Sequence, residues 1–76
     1  MSEATDPLTT SERLLAATSV CVARFGLAKT TVDDVAKESG LSRATIYRHF
    51  TGGREELLRA AVAREIGRYF ADLADQ

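Results

Sequence analysis

Seventy-six residues, with ten Lys and Arg against eleven Asp and Glu and a net charge of −1, make one small domain whose bulk charge does not single out a polyanionic partner. A chain this short buries only roughly 60% of the surface its unfolded form exposes, so its core is small. One cysteine and one histidine cannot build a disulfide framework or a structural zinc site. No apolar run approaches a membrane span and no signal-peptide pattern opens the chain, so a cytoplasmic location without membrane partners is expected.

Residues 1–8 are polar and acidic, with Pro7 near their end, and read as a flexible tail. The first helix is expected to begin at Thr9 or Thr10, because Thr9 and Glu12 have the spacing of a capping box. Its apolar stripe is Leu14, Ala17, Thr18, Cys21, Val22 and Phe25, with Leu15 on the edge. Cys21 reads as a small core residue, since no histidine shares its element to activate it as a nucleophile. Gly26 ends the helix, and residues 27–30 bridge to the next.

The stretch from Thr31 to Phe50 holds two short helical patterns that meet across Gly40-Leu41-Ser42. Thr31 caps the first, with Asp34 as the acidic half of a second box. Val32, Val35, Ala36 and Ser39 form its inward face at helical spacing. Gly40 supplies the left-handed residue that ends it, and Ser42 caps the following helix at once. Ile46 and Phe50, four apart, give that helix a buried side, and the small Ala36 lets the two helices approach closely. This is the spacing of a helix-turn-helix.

Opposite Ile46 and Phe50 lies Arg48, with Ala44 and Thr45 beside it and Tyr47 and His49 on its two flanks. Between residues 41 and 54 the chain carries Arg43, Arg48, His49 and Arg54 and no acid. If the second helix enters a major groove, Arg43, Ala44, Thr45 and Arg48 face the bases, where an arginine fork matches guanine O6 and N7. Ser42, Tyr47 and His49 then face phosphates. Plainer readings stand beside these: Tyr47 as a half-buried edge of the core, His49 and Arg48 as solvated surface groups.

After the turn at Thr51-Gly52-Gly53, a long helix is expected from Arg54 or Glu55 to Ala74, with Glu55 and Glu56 at the positive end of its dipole. Its stripe is Leu58, Val62, Ile66, Tyr69, Phe70 and Leu73. Three short helices can cover its first half and leave the second with little to pack against. The expectation is therefore an all-α chain that forms the front of a larger protein, cut inside or just after a connecting helix.

The runs SERLLAAT, TTVDDVAKESGLSRATIYRHF and REELLRAAV resemble the N-terminal DNA-binding domain of the tetracycline-repressor (TetR) family, over about residues 10 to 66. The resemblance implies a three-helix, homeodomain-like helix-turn-helix domain over 9–53. A fourth connecting helix over 54–76 would then start a ligand-binding and dimerising domain. It implies a ligand-responsive repressor that binds double-stranded DNA at palindromic operators as a homodimer, with any small-molecule ligand held in the missing domain and no cofactor. By position it implies phosphate contacts from Thr30 and Thr31 at the start of the first helix of the pair, and from Arg54, which stands where a lysine is usual. The turn before Arg54 is one residue longer than the common form, and Val22 replaces a common phenylalanine whose space Phe25 would fill. The competing reading is a small interaction module that pairs through its last helix without touching DNA. An acyl-transfer site from Ser42, His49 and Asp33 needs a nucleophile–base pocket that a chain of this size hardly provides.

Overall fold

Short side chains placed just ahead of each apolar run set the helix starts. The computed structural model describes residues 9–74; the tail expected over 1–8 lies outside the described residues. Four helices follow in order: α1 (Thr10–Phe25), α2 (Val32–Ser39), α3 (Arg43–His49) and α4 (Arg54–Ala74). The Thr9 hydroxyl accepts from the Glu12 N–H at 3.1 Å, and the Glu12 carboxylate accepts from the Thr9 N–H at 3.0 Å. Thr31 and Asp34 repeat this reciprocal box at the start of α2, at 3.1 and 3.0 Å. Ser42 caps α3 by accepting from the Thr45 N–H at 3.0 Å. Gly40, at φ 76°, donates to the Ala36 carbonyl and turns the chain between α2 and α3. Each cap stabilises its helix by about 1 kcal/mol.

The core joins all four helices: Leu14, Ala17 and Cys21 from α1, Val32 and Val35 from α2, Ile46 and Phe50 from α3 and its end, and Leu57 from α4. Thr18 is fully buried as well, and its hydroxyl donates to the Leu14 carbonyl at 2.7 Å, so no polar atom there lacks a partner. Burial, then the nearby Asp34 and Glu38 carboxylates, push the Cys21 thiol above its usual range, as suits a core residue.

Two expectations are corrected. Phe25 does not fill the space beside Val22: it is 43% exposed, its ring lying under the Arg24 guanidinium at 5.8 Å. The cause is that α1 outruns the core at its C-terminal end. The buried side of α4 also departs from the expected stripe in its first half, where Leu57 and Ala61 go inside beside Leu58 and Val62 is 44% exposed. Ile66, Tyr69, Phe70 and Leu73 are each at least half exposed, as expected for a second half with little to pack against. With about 100° per residue, Val62, Ile66 and Leu73 lie about 100–140° round the helix from Ala61. Helix α1 meets the Ala61 side, where the Ser19 hydroxyl donates to Glu65 at 2.9 Å. From Val62 onward the apolar stripe is left as a second face, and no helix among the described residues is long and apolar enough to cross a membrane.

Two outcomes follow in urea unfolding followed by circular dichroism. Leu57→Ala is expected to lose about 2–5 kcal/mol, and Phe70→Ala less than about 0.5 kcal/mol. Equal losses would mean that the apolar stripe is the packed face. Cys21 should resist a thiol reagent at pH 8 and be labelled only as urea opens the fold; labelling as fast as that of a free thiol would place it at the surface.

Candidate nucleic-acid interface

Three contacts, to α2, to α1 and to the turn before α4, hold α3 in place. At its N-terminal end Arg43 Nε lies 3.3 Å from Asp33 Oδ1 in the first turn of α2. At its C-terminal end His49 Nδ1 shares a hydrogen bond with the Ser11 hydroxyl of α1 at 3.3 Å. In between, Tyr47 crosses the turn before α4. Gly53 there has φ 74°, and a Cβ on it would sit 3.2 Å from Tyr47 Cε1. The left-handed backbone calls for glycine, and any side chain would also have to push the Tyr47 ring back by a few tenths of an ångström. Ile46 and Phe50 anchor the inner side of the helix.

The outer side then carries Arg43, Ala44, Tyr47, Arg48 and His49, all exposed, with Thr45 half-buried beside them. Arg48 reaches back to the Thr45 hydroxyl at 3.5 Å, a marginal contact. Ser42 is exposed, and its hydroxyl also meets the Thr45 hydroxyl at 3.0 Å. Thr31 is exposed at the start of α2. The Asp33–Arg43 pair places the N-terminal ends of α2 and α3 side by side. Both side chains in it are more than 60% exposed, so it contributes at most about 1 kcal/mol and yields readily to a competing anion or base edge.

Thr30 does not join this surface. Its side chain is 1% exposed and its hydroxyl donates to the Gly26 carbonyl at 2.8 Å, which removes it from reach of a phosphate. Arg54 is turned onto the protein as well. Nε donates to the Thr30 carbonyl at 2.7 Å, and Nη2 to the Leu27 and Ala28 carbonyls at 2.9 and 3.0 Å. Ser42, His49 and Asp33 do not converge: each is engaged by a different neighbour, Thr45, Ser11 and Arg43. Sequence reasoning missed the partners of Asp33, His49 and Arg54. An acid in the first turn of α2 and a base at the start of α3 are a signal for the first; nothing local points to the other two.

Residues 14–61 match the family described as bacterial regulatory proteins, tetR family. The chain is 32% identical over 72 residues to an uncharacterized HTH-type transcriptional regulator of Mycobacterium bovis, an alignment covering 87% of this chain and 38% of that protein. Two uncharacterized HTH-type transcriptional regulators of Mycobacterium tuberculosis strains are 33% identical over 54 residues, or 71% of this chain and 29% of theirs. The chain thus spans well under half the length of these relatives. No solved structure matches it significantly. With the matched segment running from the core of α1 through the helix-turn-helix into α4, the chain belongs to the tetR family of bacterial regulatory proteins.

Proposed function

We propose that this chain is the DNA-binding part of a transcriptional regulator, with α3 as the helix that enters the major groove. The observation that carries this reading is the outer side of α3. Ala44 and Arg48 stand opposite the buried Ile46, and Arg43, Tyr47 and His49 are exposed on the flanks, with no acid from residue 41 to 54. Arg43 and Arg48 supply forks for guanine, and Ala44 and the Thr45 methyl meet thymine methyl groups. Thr31, with the free N–H groups and positive end of α2, and Ser42, Tyr47 and His49 meet backbone phosphates on either side. Asp33 holds Arg43 in the free protein and gives it up to the base edge.

The relatives' greater length supports a larger protein in which 9–53 form the DNA-binding domain and α4 leads on to a further domain. In that setting the whole protein is a homodimer on a palindromic operator, repressing until a small ligand bound in the further domain releases it. The bare 76-residue chain lacks the avidity of a pair and binds its half-site weakly.

The exposed Val62, Ile66, Tyr69, Phe70 and Leu73 face favours one second reading, an interaction module that pairs through α4. Selection of bound duplexes from a random pool, with the chain paired through an added zipper, separates the two. An inverted repeat should emerge; pairing without any sequence preference would sink the DNA reading. On the selected duplex, Arg43→Ala should cost about 1–3 kcal/mol and relax the preference at one base position. Tyr47→Ala should weaken binding to all sequences alike, without affecting self-association.

A further inference from the structure

The α1–α2 connection turns three carbonyls, those of Leu27, Ala28 and Thr30, toward one point, and the Arg54 guanidinium occupies it. The Thr30 carbonyl belongs to the same planar peptide as the Thr31 N–H. That N–H donates to Asp34 Oδ2 at 3.0 Å and so closes the capping box of α2. One peptide is therefore gripped on both edges, by the first residue of α4 on one side and by the first turn of α2 on the other. The Thr30 hydroxyl, bound to the Gly26 carbonyl, adds a third tie to the same connection.

We propose that Arg54 is a positioning residue for DNA binding rather than a phosphate ligand: its fork orients the Thr30–Thr31 peptide and with it the end of α2 that meets the backbone. The inference rests on the DNA-binding reading above. Two properties of the side chain suit the task. A guanidinium presents N–H donors in a rigid plane, so Nε and Nη2 reach carbonyls several residues apart together. An ammonium at the same place has the charge without the fork. Three of the five N–H donors are committed to these carbonyls and only the two on Nη1 remain, so the edge of the fork that could grip a phosphate with two nitrogens faces the protein.

The test measures the affinity of the 76-residue chain for its selected duplex across about 50–200 mM salt, for the wild type, Arg54→Lys and Arg54→Ala. For a positioning residue, both variants weaken binding by about tenfold while the slope of log K against log salt stays that of the wild type, because no counterion-releasing contact is lost. Thr31→Ala should then cost less in the Arg54→Lys background than alone, as two residues acting through one element are not additive. Wild-type affinity in Arg54→Lys, with a slope shallower by about 0.9 in Arg54→Ala, is the signature of one phosphate contact and would overturn the proposal. A second measurement needs no variant: the Arg54 Nε–H resonance of the labelled wild type should stay unmoved as duplex is added, and a large shift overturns the proposal even if the variants unfold. Failure of the wild type to prefer any duplex would instead strike the functional reading itself, and this inference with it.

Discussion

A helix of seven residues cannot hold itself together in water, where forming the first turn costs more than the few following hydrogen bonds return. Everything that lets α3 exist comes from outside it. Ile46 and Phe50 sink into a core built from Leu14, Val32, Val35 and Leu57, and Ser42 closes its first turn. The inner side of α3 thus spends its few apolar residues on attachment, which leaves the outer side free to be chosen for a different purpose. A short helix suits that division, because few positions need face the core and the remainder project from a rigid base.

Rigidity of the base is shared among contacts to α1, α2 and the turn before α4. Ser11 of α1 meets the C-terminal end of α3, Asp33 of α2 meets its N-terminal end, and Gly53 before α4 receives the Tyr47 ring. The Arg13 guanidinium adds a bond from α1 to the Ser39 carbonyl, near the end of α2. None of these is strong alone, and the exposed ion pair least of all. Together they restrict the orientation of α3 more than they stabilise it, which is what the proposed entry of α3 into a groove requires. The acids in the first turn of α2 take up this pattern: Asp34 is spent on the cap and Asp33 on Arg43.

Helix α4 carries two apolar faces with separate duties. The face of Leu57, Leu58 and Ala61 closes the core of the small domain. The other, rich in large side chains, stays in water, with Tyr69 and Phe70 making an edge-to-face contact at 5.7 Å. This exposed apolar face is what the pairing reading and the proposed further domain both rest on.

The boundaries of α1, α2 and α3 were readable residue by residue. Capping boxes, the left-handed Gly40 and the Ser42 cap are contacts between residues three or four apart, and such contacts depend on little beyond the local chain. The inward sides of α2 and α3 were equally plain, because each has one apolar stripe and no choice to make. Helix α4 offered two faces, and its hydrophobic pattern favoured the more apolar one. Only the approach of α1 decided that Leu57 and Ala61 go inside, and only the end of the core under α1 left Phe25 in water. The partners of Arg54 lie 24 to 27 residues back along the chain, and no periodicity records a carbonyl's direction. The sequence by itself determined which segments are helical, how they begin and which family the chain resembles. The tertiary structure alone decided how far α4 turns about its axis and where Arg54 finds its partners, since both are set by the neighbours packed against that helix.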